Sequence, residues 1–204
     1  MAADEYYDAV GQVLSYVLSA ADFIKTQRGD RSGVHFRINR DGTILDFNAQ
    51  PTNRFFTITY QFSLFEQILE AYGQDMEQRQ KHMEEFDIDG TDEEHIRDDN
   101  LDQHVALRVI QDVDDEEAKN VETDIMGLAT HTGCRIRNLY EQHPEEPETD
   151  IWNGVTVSGL LYPYESNFSP RDYEQTAQEV ISVGNQIDEA MKKLDIMEDI
   201  EYEP

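Results

Sequence analysis

The sequence predicts an α+β fold in which an antiparallel sheet packs against N-terminal, middle and C-terminal helices. Three observations carry this. Val34, Phe36 and Ile38 alternate with His35, Arg37 and Asn39, which is the period of a half-buried strand. Asp41-Gly42 follows directly and has the composition of a two-residue hairpin turn. The chain between Tyr173 and Leu194 instead repeats apolar residues at alternating four- and three-residue intervals, which is a helical period.

The elements follow in order. Val10, Val13, Leu14, Val17, Leu18, Ala21 and Ile24 form one apolar stripe, so a first helix is expected to run to about Gln27, with Asp4 or a neighbour as its cap. The loop RGDRSG leads to a three-strand meander: Val34–Asn39, Ile44–Phe47 after the Asp41-Gly42 turn, and Arg54–Phe62 after AQPTN. From Ser63 the helical period returns in Leu64, Phe65, Ile68, Leu69 and Tyr72, with Met76 and Met83 continuing it more weakly. The stretch from about Glu84 to Gln103 is acidic and nearly free of apolar residues, which reads as a solvated loop. HVALRVI is compatible with a strand or a helix start, and the alternation of Val105, Leu107 and Val109 favours the strand.

Asp114 opens a further helix whose Ala118, Val121, Ile125, Leu128 and Ala129 share a face, ending at Gly133. A hairpin follows, with Arg135–Glu141 and Ile151–Tyr164 joined by a Pro- and Glu-rich loop. The closing helix is fully specified: Ser169 is a good N-cap, Pro170 suits the first helical position and Asp172 the first turn. Its tail, DIMEDIEYEP, reads as loose chain. Together these make one domain over residues 1–204, carrying an acidic helical and loop insertion at about 63–112.

Composition sets the environment. Acidic residues number 44 against 16 basic ones, a formal net charge of −28. Charge of that size with few apolar residues would leave a chain disordered, but 38% of this one is hydrophobic and its apolar residues come in periodic blocks. A core can form, and the acid must lie outside it. Self-repulsion then opposes compaction unless salt screens it, and at about 1 M salt the screening length falls to about 3 Å. Arg also outnumbers Lys. The reading is a halophilic, archaeal-type acidic protein of a salt-saturated cytoplasm. The start MAADEYYDAV lacks a signal-peptide pattern, and no stretch nears the about eighteen apolar residues of a membrane span. The single Cys134 excludes an internal disulfide. Direct nucleic-acid binding is disfavoured because clustered Lys and Arg are missing.

Motifs of chemistry are few. His131-Thr-Gly-Cys134 has the spacing of half a zinc site without a second ligand pair, so Cys134 reads as a small buried hydrophobe. Asp87, Asp89, Asp92 and Glu94 have the carboxylate density of a calcium loop, but the glycine and the closing Glu stand at the wrong distances. The six histidines are scattered over different elements, and neither a nucleotide loop nor a nucleophile elbow is present. No cofactor, metal ligand or catalytic residue is assigned. Aromatic residues concentrate on two strands instead. Phe55, Tyr60 and Phe62 on one, with Trp152, Tyr162 and Tyr164 on the other, are the candidate partner-binding residues wherever packing leaves them open.

The meander GVHFRINRDGTILDFNAQPTNRFFTITYQF and the closing GVTVSGLLYPYESNFSPRDYEQTAQEVISVGNQIDEAMKKL resemble the type III secretion chaperone-like fold, including the YbjN-like family, in element order and hydrophobic texture. The resemblance implies a non-enzymatic, often dimeric, protein-binding module. The function expected is therefore a protein-interaction or chaperone-like module of a halophilic cytoplasm, binding another protein or a second copy of itself through an aromatic sheet face or a helix groove. The alternatives are an enzyme with an acid–base site hidden among the carboxylates, and an acidic nucleic-acid mimic.

Overall fold

A computed structural model describes residues 3–20, 22–28, 33–40, 42–74, 76–86, 88, 98–113, 115–129, 132–142 and 150–199. The fold is α+β. Six strands form one sheet in the order β1-β2-β3-β4-β6-β5, with β1 Asp22–Arg28, β2 Val34–Arg40, β3 Thr43–Ala49, β4 Phe56–Ser63, β5 Arg135–Gln142 and β6 Asp150–Leu161. The helices are α1 Ala3–Ala20, α2 Leu64–Gln74, α3 Met76–Glu85, α4 Asp98–Gln111, α5 Asp115–Leu128, α6 Pro170–Met191 and the single turn α7 Asp195–Asp199. None of the described helices is long and apolar enough to cross a membrane. The chain divides into two compact units. The first is Met1–Gln61, Gly127–Arg137 and Thr156–Gln186, and the second is Phe62–Met126, Asn138–Val155 and Ile187–Pro204.

The first unit is built on the meander. β1 to β4 pair antiparallel, and the β2–β3 register sets Phe36 opposite Phe47 and Ile38 opposite Leu45. Arg40 and Thr43 close that ladder around a two-residue turn, as the Asp-Gly pair requires. Because side chains alternate along each strand, the register gathers Phe36, Ile38, Leu45, Phe47, Ala49, Phe56 and Ile58 on one face, and all are buried. The Phe36 and Phe47 rings stack 4.3 Å apart, and Phe56 meets Phe47 edge-on at 5.6 Å. The other face carries cross-strand polar pairs. Arg37 donates to both carboxylate oxygens of Asp46 at 3.1 and 2.9 Å, and His35 lies 3.0 Å from the same carboxylate.

Two helices cover the apolar face. α1 turns Tyr6, Ala9, Val10, Val13 and Val17 inward. The Tyr6 hydroxyl donates to the Ala49 carbonyl at 2.9 Å, and its ring meets Phe56 at 6.1 Å. α6 buries Tyr173, Ala177, Val180 and Val183, so the seam expected from its spacing is the one that packs. A Cβ on Gly184 would come within 2.9 Å of the Tyr60 ring, so only hydrogen lets the helix lie this close to β4. At the start of α6 the Asp172 carboxylate accepts from both the Ser169 hydroxyl and the Ser169 N–H, each at 2.7 Å. The carboxylate thus supplies one half of a capping box, while the Asp172 N–H donates to the Ser169 carbonyl at 3.1 Å. The Arg40 guanidinium, only 8% exposed, ion-pairs with Glu174 one turn on.

The second unit is mostly helical. Ile68 and Tyr72 of α2, Met83 of α3, Leu101, Val105, Ala106, Val109 and Ile110 of α4, and Val121 and Ile125 of α5 are buried. Asn153 on β6 ties the start of α2: its side-chain oxygen accepts from the Phe65 N–H at 2.8 Å. Next to it Gly154 has φ +130°, and a Cβ there would fall on the Phe62 carbonyl oxygen.

Four expectations are corrected. The apolar stripe through Ala21 and Ile24 does not prolong the first helix. α1 stops at Ala20, and Asp22–Arg28 pairs with β2 as a fourth strand of the meander. HVALRVI belongs to helix α4, where Leu101, Val105, Ala106, Val109 and Ile110 recur at helical spacing, so strand-like alternation inside it was coincidental. That helix begins at Asp98, inside the segment read as a solvated loop. The tail is not wholly loose, because α7 buries Met197. The RGDRSG loop before Gly33, the carboxylate run at 89–97 with Asp87, and the Pro- and Glu-rich loop at 143–149 lie outside the described residues.

A Gly154→Ala variant is expected to lose about 2–4 kcal/mol, since it combines a left-handed φ with a backbone clash. Gly11→Ala, in an exposed helix position with open space around it, should be neutral or gain up to about 1 kcal/mol. Chemical denaturation in molar KCl measures both.

Candidate functional site

Among the described residues no group of three His, Cys, Asp or Glu side chains is placed to hold a metal ion. His131 lies outside those residues, and Cys134 is buried, with its thiol pKa pushed up chiefly by burial and then by the nearby Glu179. Among the described residues each unit holds a concave feature.

The first unit holds a groove of ≈ 240 Å³ where β6 ends and α6 begins. Leu160, Leu161 and Tyr162 form one wall and Asp172, Gln175 and Thr176 of α6 another, with Glu165, Asn167 and Phe168 from the turn between them. The turn is held by backbone hydrogen bonds from Glu165 N–H to the Tyr162 carbonyl and from Phe168 N–H to the Glu165 carbonyl. Behind it, the Tyr164 ring packs edge-on against Phe56 at 5.8 Å, and Phe168 leans on Tyr16 at 6.2 Å. The groove is thus two aromatic rings and two carboxylates on a rigid base, with no Lys or Arg among its lining residues. Asp172 is held ionised to unusually low pH, first by the Ser169 hydroxyl and then by its N–H.

The second unit holds a cleft of ≈ 230 Å³ lined by Glu85, Asp112, Glu117 and Asp195, with His82, Phe86 and Val109 among its other walls. His82 is 4% exposed, and its Nδ1 is 2.8 Å from the Tyr72 hydroxyl. The nearby Arg79–Asp102 ion pair links α3 to α4. The Glu117 carboxylate is already engaged, accepting from the Asp195 N–H at 2.7 Å. Burial pushes the Tyr72 phenol well above its ordinary range, reinforced by Asp102, so it is a neutral hydroxyl partner to the imidazole. Histidine scattering in the sequence hid this pair: Tyr72 and His82 are ten residues apart on two helices, and only the α2–α3 turn joins them.

The six aromatic residues singled out by the sequence divide between the two units. Tyr162 is 43% exposed and lines the groove. Tyr164 is half-buried behind it, and Tyr60 is half-buried against α6. Phe55 is half-buried just before β4. Phe62 and Trp152 belong to the second unit, where Phe62 is in the core. Trp152 is half-buried, with an indole N–H that finds no acceptor among the described residues.

Four phenols, Tyr6, Tyr72, Tyr164 and Tyr173, have pKa values raised first of all by burial, Tyr164 to about 12. The folded state keeps these protons where the unfolded chain loses them near 10, so their contribution is intact below pH 10 and is lost as pH rises through the folded values. Stability should fall between pH 10 and 12, and Tyr164→Phe and Tyr173→Phe should fall less steeply, as read by denaturant midpoints at pH 8 and 11. No family model, curated protein sequence or solved structure matches this chain.

Proposed function

We propose that this chain is a non-catalytic protein-interaction module of a salt-rich, halophile-type cytoplasm, and that it seats an extended basic segment of a partner protein in the groove at Tyr162. The observation that carries the reading is the lining of that groove. Glu165 and Asp172 stand beside Tyr162 and Phe168, and none of the lining residues is basic, the nearest positive charge acting on Asp172 being that of Arg171 next to it in the chain. A guanidinium suits all four at once, since it pairs with carboxylates through a planar fork and stacks on aromatic faces. An ammonium satisfies the charge but forms neither the fork nor the stack as well. The groove also lies on a base that packing has already fixed, from Tyr164 on Phe56 to the capped start of α6, so little ordering opposes binding.

A net charge of −28 attracts any polycation at low salt, so the test belongs at about 1 M KCl, where only short-range contacts persist. A labelled Arg-rich peptide is expected to bind there, and a Lys-for-Arg version more weakly. Glu165→Lys and Tyr162→Ala should each weaken binding about tenfold or more, worth about 1.4 kcal/mol. Glu189→Lys, the same charge change at a distant exposed position of α6, should leave it unaltered. Equal loss from Glu165→Lys and Glu189→Lys, or no peptide binding at 1 M salt, overturns the proposal.

A further inference from the structure

The outer edge of β5 points to a second copy of this chain. Among the described residues β5 ends the sheet order, so no strand lies beyond it. An edge strand presents a row of backbone donors and acceptors that pair readily with another extended chain, and proteins manage such edges by the charges they place there. In a chain of net charge −28 the edge would be expected to carry acid. It carries Arg135-Ile-Arg137-Asn-Leu-Tyr-Glu141-Gln instead, two arginines against one glutamate. The other edge, β1, has the same balance, Asp22 against Lys25 and Arg28, but setting Asp22 opposite Arg28 of a second copy puts Lys25 on Lys25, so β5 is the edge that pairs with itself without a like-charge contact.

The order of those residues is self-complementary. Antiparallel pairing about a two-fold axis joins residues whose positions are symmetric about one point, and the same patch serves both copies. With Asn138 on the axis, Arg135 of each copy lies opposite Glu141 of the other. Arg137 then faces Leu139 and Ile136 faces Tyr140, so no pair sets like charges together. Arg135, Arg137 and Glu141 are exposed and Tyr140 is 53% exposed, while Ile136 is buried and Asn138 and Leu139 are half-buried, so the charged residues are the ones most open to the approaching strand. Centring the pair on Arg137 would set two arginines face to face, which disfavours that register. We infer that the chain forms a two-fold dimer by antiparallel pairing of its β5 edges, with reciprocal Arg135–Glu141 contacts. This surface is independent of the groove at Tyr162, and either proposal can fail alone.

Sedimentation equilibrium in 1 M KCl tests it. The wild type should be a dimer at micromolar concentration. Glu141→Arg and Arg135→Glu should each raise the dissociation constant about tenfold or more, and the double variant should restore it. Glu141→Arg lowers the net negative charge, so a dimer lost in that variant is lost through the specific pair and not through general repulsion. As a readout free of charge changes, Tyr140→Cys, at an exposed position four residues out of register with its own copy, should be joined to it by a bis-maleimide spanning about 14 Å, while Tyr7→Cys and the wild type, whose Cys134 is buried, should not. A monomeric wild type, an unaffected Glu141→Arg dimer, or a double variant that stays monomeric overturns the inference.

Discussion

The packing of α6 on the sheet is the constraint from which the first unit takes its shape. The helix lies close enough that a Cβ on Gly184 would press on the Tyr60 ring and force it to shift. From there Val180, Ala177 and Tyr173 fall into the sheet in turn, and Glu174 reaches the buried Arg40. A buried guanidinium without its carboxylate would cost several kcal/mol, so Arg40 in turn pins the end of β2 to the start of the helix. The groove exists because the chain must pass from Leu161 on the sheet floor to Pro170 above it within two successive turns. Its walls are a by-product of how α6 is capped and seated.

Most of this was legible because it is periodic. The meander, its Asp-Gly turn and the α6 seam each depend on residues whose spacing matches one element only, and Ser169-Pro170 marks the boundary chemically. The failures came where two periods fit the same letters. Val105, Leu107 and Val109 alternate as in a strand, yet Leu101, Val105 and Val109 also repeat at four, and burial chose the second pattern. Likewise Ala21 and Ile24 continue a helical stripe, but backbone pairing with β2 takes the segment into the sheet, as tertiary contacts commonly override local preference.

The site was legible only in part, for a related reason. Aromatic residues on a strand announce either a core or a surface, and sequence does not say which face each occupies once strands bend. Tyr162 stayed on the surface, whereas Phe62, of the same residue class, entered the core. Tyr72 and His82 gave no signal at all, since a hydrogen bond between two helices leaves no trace in the spacing of either. Nor did the carboxylates of the groove stand out among 44 acids. What distinguishes Glu165 and Asp172 is the aromatic company they keep, and that is a property of the folded turn.

The sheet order has a consequence for how the chain is made. β6 is the last strand in sequence but stands next to β4, inside the sheet, and the Thr59 and Ser158 hydroxyls that meet at 3.3 Å are ninety-nine residues apart. During synthesis the β4 edge therefore stays unpaired while the next hundred residues emerge. At ribosomal rates of about 5–20 residues per second that is several seconds of exposure for an aromatic strand edge. Long-range pairing of this kind also folds slowly, because loop closure must precede any gain.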